Sequence, residues 1–268
     1  MDAIPSQDLN RSRKMSTVVR SLLQRRQYGA AIETLKQCRS PVDFLSRYAM
    51  ERGKYPFAVS LRTPTNSITL NLYSWHDSRT IHEIFFARDY STDGSAKIIV
   101  DFGSNIGISA AYFLSRNLDA KIYLFEPVPI NIERLHANLR QFAGRFILEE
   151  VAVGDNAGTV RFGVEPTGRY GGIGLQTGDY IDVVCKDSNH ILQNIVDEHR
   201  RIDLLKIDVE TMEERIVNNL DQGLASRIEV IIVEYIFDEN PLKATHEMSS
   251  RGGVSRFKLK YGSKSGMQ

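Results

Sequence analysis

The chain has 268 residues, 42% hydrophobic and 25% charged, which excludes wholesale disorder and suits one large α/β domain with a small extension. Its formal net charge of +1 lacks the concentrated positive field of a nucleic-acid binder, so no nucleic-acid partner is expected. Two cysteines, Cys38 and Cys185, form neither a disulfide framework nor a metal spacing; with no secretory leader and no apolar run of roughly 18 residues, the expectation is a cytoplasmic protein with no membrane association.

Residues 1–14 are polar and read as a tail. Apolar positions at helical spacing predict a helix over 15–38, and Pro41 after Ser40 starts a second that Gly53 and Pro56 stop. Residues 57–61 and 68–72 alternate as strands around a turn at 63–67. Asp77 is expected to cap a short helix carrying Ile81, Ile84 and Phe85. This first part, 1–94, reads as a helical and β-hairpin cap.

The pattern changes in 95–268. Strands are predicted at 97–101, 121–125, 146–153, 203–208 and 229–235, with extended pieces at 159–164 and 181–185. Helices fall after residue 107 and at 131–142, 187–199 and 212–220. Such alternation implies a Rossmann-like, mostly parallel sheet with helices on both faces. The glycine-rich run from Gly168 to Gly178 reads as a long loop, either a lid or a plain connection.

In open α/β sheets, ligands bind beyond the carboxyl ends of the strands. The first core strand ends in Asp101-Phe-Gly-Ser-Asn-Ile-Gly107. Gly103 permits a sharp turn, and Gly107 is expected to let the following helix pack on the sheet. A nicotinamide site would use G-x-G-x-x-G to seat a pyrophosphate, but the middle glycine position here is Asn105. Asp101 suits instead a cofactor with an ammonium group and no pyrophosphate, which S-adenosylmethionine satisfies. Glu126, 23 residues after Gly103 at the end of the second core strand, can accept both ribose hydroxyls of either cofactor.

Val100-Asp-Phe-Gly-Ser-Asn-Ile-Gly107, Phe125-Glu-Pro-Val-Pro129, Ala152-Val-Gly-Asp155 and Leu205-Lys-Ile-Asp-Val-Glu210, in that order, resemble the FkbM family of methyltransferases. The resemblance spans roughly 77–236, and Glu83-Ile-Phe-Phe-Ala-Arg-Asp-Tyr90 is similar to the segment that leads into the family's domain. It implies a class I methyltransferase fold, S-adenosylmethionine as donor, and O-methylation of a sugar or natural-product small molecule. Carried over, Asp101, Gly103, Asn105 and Gly107 surround the methionine and ribose, together with Ser104 of the same motif. Glu126 holds the ribose beside Pro127, and Ala152 and Val153 lie near the adenine. Asp208 and Glu210 stand at the donor–acceptor boundary.

Two departures stand out. Thr211 replaces the family's glycine and is expected to narrow or alter the pocket. Only 33 residues follow Tyr235, where 256–261 supplies one strand, so an incomplete seven-stranded sheet with a partner-covered edge, hence a homo-oligomer, stays open. An alcohol acceptor must lose a proton, which calls for a base or a metal. Lys206, Asp208 and Glu210 alternate on one strand and are expected to point the same way, with Lys206 either in the site or in a structural ion pair. The base is expected at Asp208 or Glu210, with Glu234 in reserve; no zinc spacing is found among the six histidines. Tyr73, Trp75, Tyr90 and His76 are candidates for the acceptor pocket, with core or surface placement as their alternatives. An NAD-dependent oxidoreductase and a catalytically silent S-adenosylmethionine-binding protein remain the other readings.

Overall fold

The computed structural model describes residues 25–51, 53–165 and 171–260. The predicted tail, the first part of the predicted 15–38 helix, Gly168 to Tyr170 and Tyr261 lie outside these residues.

Three strands rich in Ile, Val and Leu form the centre: β3 (Ile98–Phe102), β10 (Ile202–Ile207) and β11 (Ile228–Val233). Near-continuous apolar runs suit strands covered on both faces. β4 (Lys121–Phe125) and β5 (Phe146–Glu149) extend the sheet on one side, giving the order β12-β13-β11-β10-β3-β4-β5. The five strands from β11 to β5 are parallel; β13 (Val254–Leu259) runs antiparallel to β11, and β12 (His246–Arg251) antiparallel to β13. The chain steps outward from β3 through β4 to β5, then returns to β10 on the other side. The strand order therefore reverses between β3 and β10, where such sheets bind ligands. This is the Rossmann-like α/β architecture expected.

The sheet is complete, against the expectation of a missing strand. Residues 246–259 form a hairpin around Gly252 and Gly253, both at positive φ, as a two-residue turn of the type favoured in hairpins demands. The outer strand β12 was not predicted, because Met248, Ser249, Ser250 and Arg251 offer no apolar alternation. With this polar edge the sheet requires no partner strand.

The predicted strand over 146–153 is two strands in two sheets. β5 ends at Glu149, and β6 (Ala152–Gly154) pairs with β9 (Asp179–Asp187) in a separate four-stranded sheet, β6-β9-β7-β8. Its other members are β7 (Gly158–Val164) and β8 (Gly171–Ile173), so part of the glycine-rich run expected as a loop is a strand.

The cap comprises α1 (Arg25–Gln37), α2 (Pro41–Met50), the hairpin β1 (Phe57–Arg62) and β2 (Ser67–Leu72), and α3 (Trp75–Ile81) continuing as one π-helical turn, His82–Phe86. Ser74, not Asp77, is the N-cap of α3; Asp77 sits three residues on and closes the capping box, accepting from the Ser74 amide at 2.8 Å. The cap explains α4 (Ile108–Leu114), whose seven residues are all buried. A helix apolar all round needs cover on both sides. The sheet provides one face; on the other, Phe85 meets Tyr112 edge to face and Tyr90 stacks on Phe113. Cap and sheet share one apolar core. Helices α5 (Pro129–Leu139), α6 (Ser188–His199), α7 (Glu213–Asn218) and α8 (Gln222–Ala225) complete the layers. Among the described residues, no helix is long and apolar enough to cross a membrane.

Candidate active site

A cavity of about 390 Å³ lies beyond the carboxyl ends of β3, β4, β10 and β11. It falls within the range of small-molecule sites and at the point of strand-order reversal.

One wall is the turn after β3. Gly103, Asn105 and Gly107 all have positive φ (78°, 46° and 82°). The turn is tied to β4: the amides of Gly103 and Ser104 donate to the Phe125 carbonyl at 3.1 Å, and the Phe125 amide donates to Ser104 Oγ at 3.1 Å. A Cβ on Gly103 would lie 1.7 Å from the Asp208 carbonyl oxygen, so glycine is required by the neighbouring strand end. Gly107 does not line the cavity. Its missing side chain makes room for Leu135 and Leu139, so it seats α4 against α5, not against the sheet.

Glu126 lines the cavity while only 5% exposed. Its two oxygens accept from the Asn105 amide (2.9 Å), the Val128 amide (3.1 Å) and Asn131 Nδ2 (3.2 Å). Burial pushes this carboxyl up to about 7 despite those bonds. Because its folded-state value exceeds the usual 4.5, Glu126 contributes stability below pH 4.5 that is lost as pH rises through about 7. In the Glu126→Gln variant this slope is expected to vanish from thermal unfolding followed across that window. A slope as steep as wild type would assign the titration elsewhere.

Asp101 departs from expectation. It is fully buried behind the wall and does not line the cavity. One oxygen accepts from Ser109 Oγ at 2.5 Å and the other from Lys206 Nζ at 2.9 Å. The sequence could not show this, because Lys206 stands opposite Asp101 only through the β3–β10 register. The Lys206 ammonium also donates to the Gly103 carbonyl at 2.8 Å and lies 3.1 Å from Asp208 Oδ2. Burial opposes its charge, but the Asp101 and Asp208 carboxylates outweigh burial and hold the ammonium well above its usual range. Lys206 is thus a buried ion-pair centre clamping the turn to β10, and Asp101 positions it. Lys206→Met leaves two carboxylates facing each other, and unfolding is expected to show a loss of about 3 kcal/mol near neutral pH. The folded variant then takes up protons more readily than the unfolded chain, so the deficit shrinks at acidic pH. Equal deficits at both pH values would contradict this.

Asp208 and Glu234 follow directly on adjacent strands: the Asp208 amide donates to the Phe102 carbonyl and the Glu234 amide to the Ile207 carbonyl. Both line the cavity, side by side on strand ends whose preceding residues, Ile207 and Val233, are paired in register. The Asp208 charge, then burial, drive the Glu234 carboxyl well above the usual range. Lys206 and Asp208 point the same way, as alternation required, but alternation stops there. Glu210 and Thr211 are left-handed (φ 52° and 76°), so Glu210 reaches the cavity from a turn and not from a strand. The positive φ explains the family's glycine. Thr211 does not narrow the pocket; its side chain donates to the Ile173 carbonyl at 2.9 Å, outside the cavity.

Pro127, Ala152 and Val153 line the cavity, joined by Phe162, which sequence reasoning missed, and by Gly171 of the glycine-rich run read as a lid or a connection. The cap contributes His76, Arg79, Glu83 and Tyr90; Tyr73 and Trp75 do not line it. Tyr73 packs under Arg134, and Trp75 Nε1 donates to the Tyr48 carbonyl. Gly252 and Gly253 close the far side. The Gly-Gly pair between two short segments was the available signal for them. Among the described residues, no group of three or more His, Cys, Asp or Glu side chains is arranged to hold a metal.

The sequence profile of the methyltransferase FkbM domain matches residues 101–250, from the first strand end to the terminal hairpin. The chain belongs to the FkbM methyltransferase family. It is 24% identical over 211 residues to the 31-O-demethyl-FK506 methyltransferase FkbM of Streptomyces tacrolimicus, covering 65% of this chain and 80% of that protein. It is 27% identical over 194 residues to the AMB antimetabolite synthetase AmbE of Pseudomonas aeruginosa, covering 57% of this chain. The chain spans only 9% of the length of AmbE. Among solved structures, a methyltransferase from Geobacter sulfurreducens overlaps 62% of this chain and 72% of its own, at 11% identity and a TM-score of 0.36. At that overlap the fold rests on the strand order itself. An FkbM methyltransferase uses S-adenosylmethionine, which removes the nicotinamide alternative. The lining residues fit that donor: a buried carboxylate suited to a ribose diol, and seven acidic side chains against Arg79 and Lys206 for a ligand of net positive charge.

Proposed function

We propose that this FkbM methyltransferase O-methylates a hydroxyl of a small polar acceptor, a sugar or natural product. The observation that carries this reading is the Asp208–Glu234 pair inside the cavity, a proton acceptor placed where the strands of donor and acceptor halves meet. An alcohol must surrender a proton as it is methylated, and a side-chain base does this without a metal. The relative from Streptomyces tacrolimicus, named for methylating 31-O-demethyl-FK506, supports an oxygen acceptor.

In this reading Glu126 holds the ribose, the Gly103–Ser104–Asn105 backbone and the Asn105 side chain face the methionine portion, and Pro127, Ala152 and Val153 flank the adenine. The bound donor supplies an activated methyl group. The chain's own residues then orient the acceptor and take up its proton, Asp208 serving as base, Glu234 sharing the proton, and Glu210 at the rim. Positioning contributes much of the rate when the leaving group is already activated. We assign residues 1–94 as the cap, whose described residues His76, Arg79, Glu83 and Tyr90 line the acceptor side, and 95–268 as the donor-binding part. Two buried free cysteines are consistent with a cytoplasmic setting.

The test is a transfer assay with a deuterated methyl donor against a panel of hydroxylated and amino-bearing small molecules. The label on oxygen is the expected result, and labelling confined to nitrogen would overturn it. Glu126→Ala is expected to weaken S-adenosylhomocysteine binding at least tenfold, as loss of hydrogen bonds to a charged group of about 1.5–3 kcal/mol implies. Calorimetric titration reads it directly.

A further inference from the structure

Two carboxyl groups set side by side in a buried cavity repel each other unless one of them holds a proton. The Asp208–Glu234 pair, on neighbouring strand ends in register and with Lys206 at 3.1 Å from Asp208, therefore favours holding one proton between its two carboxyls, inside the cavity that the donor must enter. The groups facing the pair come from every side. β3 presents Asp101, β10 presents Lys206, the cap presents Glu83 and Tyr90, and α7 presents Glu213. All but Lys206 are acidic groups, and the Lys206 ammonium is already engaged by Asp101, the Gly103 carbonyl and Asp208. Arg79, the other permanent cation lining the cavity, pairs with Glu83 at 3.1 Å. Such a field favours retention of the shared proton. A further positive charge entering this buried space reverses the balance, because charges interact strongly where water is excluded.

We propose that Asp208 and Glu234 read the charge on the donor's sulfur: the pair gives up its shared proton when a sulfonium enters the cavity and retains it when the sulfur is neutral. The inference rests on S-adenosylmethionine being the donor. It makes the base available only while a transferable methyl group is present. The proton expelled on binding goes to solvent. On transfer the oxygen–carbon bond forms, the sulfur–carbon bond breaks, and the hydroxyl proton goes to the emptied pair. With the sulfur then neutral, the pair is back in its resting one-proton state. Over one cycle a single proton is released, as the overall reaction requires.

S-adenosylmethionine and S-adenosylhomocysteine share the ribose, adenine and amino-acid portion, so proton exchange caused by those portions at Glu126 is common to both, and any exchange the sulfonium itself causes at Glu126 survives in Glu234→Gln. The test is calorimetric titration of wild type with each ligand, in phosphate and in Tris, at about pH 6.5, where the amino group of both is charged. The buffer dependence of the heat gives the protons exchanged. S-adenosylmethionine is expected to release between about half and one proton more than S-adenosylhomocysteine. Its affinity relative to S-adenosylhomocysteine then rises with pH by up to about tenfold per unit. In Glu234→Gln the difference disappears while S-adenosylhomocysteine still binds; if that variant does not fold, Asp208→Asn and the wild-type pH series carry the same comparison. Equal proton counts for the two ligands in wild type would overturn the inference and leave the donor assignment intact. Binding of neither ligand to folded protein would overturn both.

Discussion

Replacing Asp208 by Asn is expected to lower kcat about 10²- to 10⁴-fold, the usual contribution of a positioned general base. S-adenosylhomocysteine affinity is expected to change by less than about tenfold, or about 1.4 kcal/mol. The separation follows from where Asp208 sits. Its backbone is pinned to Phe102 and its neighbour Lys206 keeps the Asp101 and Gly103 contacts, so the turn that faces the donor is retained without the Asp208 charge. Single-turnover kinetics with saturating donor reads the chemical step. Activity within tenfold of wild type would move the base to Glu234 or Glu210, which also line the cavity. A parallel loss of cofactor binding would instead give Asp208 a structural role.

Gly103→Ala is expected to destabilise the protein by about 5 kcal/mol. A left-handed residue with a side chain costs about 1–2 kcal/mol, and overpacking against fixed groups adds about 1–3 or more. The obstacle is the Asp208 carbonyl, a backbone atom in a hydrogen-bonded strand end, which cannot swing aside as a side chain can. Thermal unfolding is expected to fall by about 10–20 °C, with cofactor binding abolished because the turn and Asp208 are forced apart. Gly144→Ala is the matched control. Its φ of 80° is nearly the same as the 78° of Gly103, but an added Cβ would meet nothing within 4 Å. It is expected to lose only the conformational part, about 1–2 kcal/mol. Similar losses in the two variants would mean that backbone conformation, not the collision, makes Gly103 necessary.

What the sequence made legible divides along the range of the interactions concerned. β3, β10 and β11 were found to within two residues because an unbroken apolar run is a local property. Spacing along the chain pointed to Gly103 and Glu126, and the family resemblance to Ala152 and Val153; all four line the cavity. Asp101 was placed on the right strand but in the wrong role, since its pairing with Lys206 spans 105 residues and exists only through register. The second sheet was read as scattered pieces for the same reason. Its strands carry the alternation of half-covered surfaces, but nothing in 158–164 says that its partner is 179–187. Glu210 was placed on a strand face because Lys206-Ile-Asp-Val-Glu210 alternates; the left-handed turn that breaks the strand occurs at two residues that ordinarily avoid it.

The terminal hairpin has a consequence for how such an enzyme changes substrate. One wall of the cavity is the tip Gly252-Gly253, built from two residues with no side chains. The residues proposed to hold the donor lie on other elements, so variation at this tip reshapes one wall of the cavity without touching them. At Gly253 an added Cβ meets nothing within 4 Å, and Asn or Asp adopts the required left-handed backbone more readily than other residues. A two-residue position of this kind is evolvable in a way that Gly103 is not: one glycine is fixed by collision, whereas the other is open ground on which lineages can diversify in what they modify while keeping how they modify it.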